Sequence, residues 1–107
     1  SAHGLVGSEM CIRDRLQTIL NIVDFGMSPM EAVSVPRIHS EGEFVHVEAR
    51  VESSQIAVLE SFGHKIKKSP YSFDPMMARC HVILKDKKSW KAGADPRSGG
   101  GVAFARV

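Results

Sequence analysis

With 107 residues the chain has room for one small domain, and 43% hydrophobic residues is ordinary for a globular protein with a modest core. A net charge of +2 is too mild to point to nucleic acid, whose partners concentrate Lys and Arg on one face. Two cysteines, Cys11 and Cys80, make no disulfide framework and are expected as free thiols; no apolar run approaches the ~20 residues that span a bilayer, and nothing reads as a signal peptide.

Residues 1–15, SAHGLVGSEMCIRDR, show no sustained period and no cap ahead of Leu16. They are expected to form a weakly packed leader foreign to the fold, which then occupies 16–107. The stretch 16–37, LQTILNIVDFGMSPMEAVSVPR, carries two helical patterns. Leu16, Ile19, Leu20 and Val23 recur on one helical face and Ile22 and Phe25 widen it, which predicts a buried helix over 16–25. Gly26 suits a left-handed C-terminal residue. Ser28 then caps a second, short helix with Pro29 at its first position and Glu31 closing a capping box, and Pro36 ends it by disfavouring helical geometry at Val35.

RIHSEGEF, at 37–44, reads as a turn-bearing connection. Over 44–51 the residues alternate: Val45, Val47, Ala49 and Val51 face the core, while His46, Glu48 and Arg50 face away as in a half-buried strand. Ser53 or Ser54 can cap the next helix, with Ile56, Leu59 and Phe62 as its apolar stripe and Gly63 as its stop. KIKK, at 65–68, suits an edge strand exposed to water, and 69–77, with Pro70 and Pro75, is a loop. Alternation returns over 79–85, placing Cys80, Val82 and Leu84 opposite His81 and Ile83. DKK then turns the chain into a hairpin partner carrying Trp90 and Ala92. After ADPRSGGG, the residues 102–107 alternate as a last strand. Helices, then strands, a helix and a hairpin predict an α+β domain with helices packed on a mostly antiparallel sheet.

Each residue that invites chemistry also has a plainer role. His39, His46, His64 and His81 together with Cys80 suggest a metal, but no H-x-x-x-H or C-x-x-C spacing puts two ligands on one site. Cys80 and His81, neighbours on a strand, point to opposite faces and cannot serve each other as nucleophile and base; Cys80 reads as a small core hydrophobe. SGGG, at 98–101, lacks the following helix that a phosphate cradle needs and reads as a permissive turn. Asp95 and Pro96 favour a turn from which Arg97 can hold a carboxylate or carbonyl with its planar fork, and bracing is the expected role. The lysines of KIKK and KDKK lack interleaved aromatics and read as solvated. Glu48 and Arg50 are expected to pair with neighbouring strands rather than to do acid–base work.

The stretch 16–37 together with GADPRSGGG at 93–101 resembles the C-terminal end of the gamma-glutamyltransferase (gamma-glutamyltranspeptidase) family. The order of parts agrees: a helix ending in DFGM, an EAV-x-x-PR turn, an acidic strand, a helix ending in GHK and a closing ADPR. The resemblance covers 16–107 and implies a fragment of the αββα sandwich of N-terminal-nucleophile hydrolases. Such enzymes mature by self-cleavage, which frees a threonine whose hydroxyl attacks a gamma-glutamyl amide, as in glutathione, and whose own amine acts as base. An acyl-enzyme then passes the group to water or an amino acid, and relatives act on other amides, acylase substrates among them. Where the family carries a glycine-rich oxyanion loop, only Gly7 and Ser8 echo it, with Glu9, Met10 and Cys11 in place of proline and glycines. The run GSEMCIRDR resembles translated sequencing-adapter read-through joined to a truncated gene.

The nucleophile and the glutamate-binding residues fall outside 16–107, so the resemblance carries no catalytic, substrate-binding or metal-ligating residue onto this chain and implies no cofactor. It implies a partner instead, the rest of the same precursor: its large subunit and the N-terminal part of its small subunit. Bacterial members are often periplasmic or secreted. A stand-alone, non-catalytic α+β interaction module is the alternative.

Overall fold

A computed structural model describes residues 9–105, with the side chains of residues 9–11 and 41 left out. The order of elements is α1 (Glu9–Val23), α2 (Pro29–Ser34), β1 (Ile38–Glu41), β2 (Phe44–Val47), α3 (Ser53–Ser61), β3 (Lys65–Lys68), β4 (Val82–Asp86) and β5 (Ser89–Gly93). β1, β2 and β3 form one sheet, with β1 antiparallel and β3 parallel to β2. β4 and β5 form a separate antiparallel hairpin. The domain is α+β with antiparallel pairing dominant, as expected. None of the described helices is long and apolar enough to cross a membrane.

The local punctuation acts as its chemistry requires. Gly26 takes φ 64° just past α1. Ser28 Oγ accepts from the Glu31 N–H at 3.2 Å while Glu31 Oε1 accepts from the Ser28 N–H at 3.3 Å, closing the capping box of α2. Val35 is extended at ψ 154°, the geometry a following proline favours. Gly63, at φ 93°, ends the run after α3, and KIKK forms an edge strand as expected.

Several expectations are corrected. α1 spans residues 9–23 rather than 16–25, so it takes in part of the segment expected to pack weakly, and Asp14 is fully buried. The expectation for residues 1–8 lies outside the described residues. RIHSEGEF contains β1, because Gly42 at φ 67° lets the chain fold back on itself as a hairpin. β2 stops at Val47, since the chain turns at residues 49–50 to enter α3. Glu52, not Ser53 or Ser54, is the N-cap of α3, with the Gln55 side chain accepting its N–H at 3.3 Å. Phe62 is exposed, and only Ile56 of that helix packs on the small apolar core of Val45, Val47 and Val51, which Ile66 completes. Residues 102–105 form no strand; 106 and 107 lie outside the described residues.

The largest correction concerns α1. Its apolar stripe faces outward: Ile12, Leu16, Ile19 and Val23 are each more than half exposed. Its inward face is polar, with Asp14 and Thr18 buried and Gln17 and Asn21 half-buried, a spacing of one helical face. Asn21 Nδ2 donates to the Ala32 carbonyl at 3.2 Å, and the Gln17 amide donates to Ile38 O at 2.7 Å while accepting Ile38 N–H at 3.2 Å. Polar bonds therefore tie α1 to α2 and β1. On its other side α2 packs on the β4–β5 hairpin. Gly93 permits this contact, since a Cβ there would lie 2.6 Å from the Pro29 backbone.

Candidate functional site

The Asp-Pro-Arg turn holds the most constrained chemistry in the molecule. Asp95 Oδ1 accepts the Arg97 N–H two residues on, at 2.9 Å, the short-range bond that makes aspartate a turn former. That folds the Arg97 side chain inward, where its Nε donates to Glu48 Oε2 at 2.7 Å and its Nη2 pairs with Glu48 Oε1. Nη1 also donates to Asp95 Oδ1 at 3.0 Å and to the Val33 carbonyl at 2.7 Å, and Nη2 reaches the Val35 carbonyl at 3.1 Å. One planar guanidinium thus grips β2's end bidentately and caps the last carbonyls of α2.

Arg37 supplies a second cation. Its Nη1 lies 2.8 Å from Asp95 Oδ2 and donates to the Ala78 carbonyl at 2.6 Å, while Nη2 reaches the Val33 carbonyl at 3.3 Å. Its backbone N–H donates to Glu48 Oε1 at 2.9 Å, the Asp74 N–H donates to Glu48 Oε2 at 2.7 Å, and the Cys80 N–H donates to Asp95 Oδ2 at 2.7 Å. Arg37, Glu48 and Asp95 are all under 2% exposed. Among the described residues the largest fully buried side chains include more ionic groups than apolar ones.

Burial alone would push the Asp95 carboxyl up; the backbone N–H groups of Arg97 and Cys80, then the charge of Arg37 and the Arg97 side chain, outweigh it and hold it below the ordinary 3.8. For Arg97, burial opposes the charge, but the hydrogen bonds and charge of Glu48, followed by those of Asp95, raise its pKa further. Among the described residues every donor and acceptor set out above is committed to the fold, and the one buried donor left over, Arg37 Nε, is enclosed with it. The cluster braces; it does not offer a free base or an open cation to a substrate.

Glu48 overturns the expected register. It does not face away from the core but is fully buried, because residue 48 lies past the end of β2, where strand alternation no longer governs direction. Its partner is Arg97, not a neighbouring strand. Arg50 likewise donates to the carbonyls of Ser72 at 2.9 Å and Ser34 at 2.5 Å and lies over the Phe73 ring. Asp14 and Arg37 were also missed. The available signal was the pair of Pro-Arg dipeptides at 36–37 and 96–97, each placing a guanidinium just after a chain stop.

The other candidates scatter. His39 and His46 stand opposite each other on β1 and β2, but among the described residues no group of three His, Cys, Asp or Glu gathers to hold a metal. Cys80 is buried and His81 exposed, so the two are separated as expected, but both lie just before β4, which starts at Val82. SGGG is a turn with no helix after it. Lys65 pairs with Glu43 at the surface, and Lys67 lies 4.2 Å over the Phe44 ring. Thr18, the sole threonine, is buried in α1 with its hydroxyl donating to the Asp14 carbonyl at 2.9 Å.

A family model described as Gamma-glutamyltranspeptidase matches residues 1–105. The chain is 33% identical over 108 residues to the Acylase ACY 1 proenzyme of Pseudomonas sp. (strain V22), covering 97% of the chain and 19% of that protein. It is 30% identical over 105 residues to the Glutathione hydrolase-like YwrD proenzyme of Bacillus subtilis (strain 168), covering 92% of the chain and 20% of that protein. A solved cephalosporin acylase from Bacillus halodurans superposes with a TM-score of 0.84 at 28% identity, over 94% of this chain and 19% of that one. The chain therefore spans about a fifth of the length of these relatives.

Proposed function

The chain belongs to the gamma-glutamyltranspeptidase family, and on that premise we propose that it is the closing scaffold of an N-terminal-nucleophile enzyme, not its reaction centre. The observation that carries this reading is the outward apolar face of α1. Ile12, Leu16, Ile19 and Val23 are each more than half exposed, which forfeits part of the about 1.5–3 kcal/mol that full burial of each side chain brings. A further layer of the same precursor is the natural cover. A stand-alone interaction module would leave that face bare.

The whole enzyme then cleaves or transfers a gamma-glutamyl group, as from glutathione, or a related acyl amide, through a threonine freed by self-cleavage. The hydroxyl oxygen attacks the amide carbon, the threonine's own amine takes the hydroxyl proton, and the amine product leaves with a proton as the acyl ester forms. Water or an amino acid releases the acyl group. No residue of this chain performs those steps. Thr18 is excluded by its place in mid-helix, where its nitrogen is an amide and its hydroxyl is engaged.

The purified chain is expected to release no product from a gamma-glutamyl anilide, whereas the same segment within an intact precursor supports self-cleavage and turnover. Hydrolysis by the purified chain that survives Thr18→Ala would overturn the assignment.

A further inference from the structure

His81 stands at the entrance to β4 with its ring exposed and its Nδ1 accepting the backbone N–H of Asp95 at 3.1 Å. An accepting Nδ1 is unprotonated, so the ring proton sits on Nε2. The contact is reciprocal, because the Cys80 N–H donates back to Asp95 Oδ2 at 2.7 Å. The glycine-rich segment passes nearby: a methyl on Gly100 would come within 3.4 Å of His81 Cε1. His81, Ala94, Gly100 and Gly101 share the lining of one cavity of about 280 Å³. One imidazole therefore joins the strand entrance to the Asp-Pro-Arg turn.

From this geometry we infer that His81 is an acid-sensitive latch on the Asp-Pro-Arg turn. Neutral, it ties the turn to the entrance of β4. Protonated, its Nδ1 becomes a donor facing a donor, and either the ring leaves or the Asp95 amide loses its partner. The charged groups beside it include Arg79 on its own segment and Arg15 of α1, which line the same cleft, and the Asp95 carboxylate. None offers the protonated ring a replacement: both arginines are donors, and the Asp95 oxygens already serve Cys80, Arg37 and Arg97. Because those carboxylate bonds do not involve His81, the release is local and Arg97 keeps its grip on Glu48.

Long-range proton–nitrogen NMR on the full chain reads the tautomer, and amide exchange reads the latch, with Val33 of α2 as internal reference. The expected result is the Nε2–H tautomer at about pH 8 and a loss of Asp95 amide protection on moving to about pH 5. The loss, relative to Val33, is about three- to tenfold, the factor for one ordinary hydrogen bond. His81→Asn, whose Oδ1 accepts without titrating, holds the protection flat, and His81→Ala lacks it at both pH values. Protection that is flat in the unaltered chain, or that falls equally in His81→Asn, overturns the latch, as does an Nδ1–H tautomer.

Discussion

Asp95 and Asp14 both face Nη1 of Arg37, at 2.8 and 3.6 Å, and both are withdrawn from water, yet their surroundings differ in kind. Asp95 sits in a turn that turns two backbone N–H groups and two guanidinium groups onto its oxygens. Asp14 projects from mid-helix, where the backbone is already bonded, and among the described residues neither of its oxygens accepts a hydrogen bond. Burial therefore raises the Asp14 pKa, against the opposing charge of Arg37, a near approach of the Ala78 amide that falls short of bonding geometry, and the weaker pull of Arg97 and His39. Two carboxylates beside one cation show that proximity to charge is not enough. Directed donors decide whether a buried acid is held ionised.

The sharpest way to break this comparison is to remove the donors from the satisfied side. Arg97→Met strands Glu48 and Asp95 in the interior and is expected to cost about 3–5 kcal/mol, the range for breaking a buried pair from one side. A urea melt with an unchanged midpoint would show the cluster to be dispensable. Glu48→Gln keeps the shape and an acceptor but withdraws the counter-charge from Arg97. A loss of about 1.5–3 kcal/mol, the scale of a hydrogen bond to a charged group, is expected, whereas a solvated residue 48 would change stability by less than about 0.5 kcal/mol.

The smallest expected effect sits on the other side, and its sign is the informative part. Asp95, with its folded pKa below 3.8, adds stability that is present above that value and lost as pH falls through the folded pKa. Asp14, with its folded pKa above 3.8, adds stability that is complete below that value and lost as pH rises through the raised pKa. Asp14→Asn should therefore be neutral or stabilising by up to about 1 kcal/mol at neutral pH, and the difference should close on acidification. Melts in which Asp14→Asn is destabilised at pH 7 and recovers in acid would reverse the comparison.

Much of the fold was legible where a residue acts on its own backbone. The Ser28–Glu31 box, Pro36, Gly26 and Gly63 do locally what their chemistry demands. The Asp95–Arg97 turn was legible as bracing for the same reason. The residues it braces were not, because Glu48 lies 49 positions from Arg97 and its direction depends on where β2 ends. α1 is the deeper case. Its apolar stripe predicts a buried face and is the exposed one, since periodicity shows that a helix has two faces and not which of them this segment covers.

The amino-acid sequence by itself determined the capping box of α2, the glycine stops after α1 and α3, the β4–β5 hairpin and the family, since these rest on spacings within a few residues and on the order of the parts. Only the tertiary structure decided that α1 turns its polar face inward and that Arg37, Glu48, Asp95 and Arg97 meet in one dry cluster. The physical reason is that both depend on which surfaces run out of neighbours. Local propensity is silent on that, while the cost of an unpaired buried charge enforces it once the chain has closed.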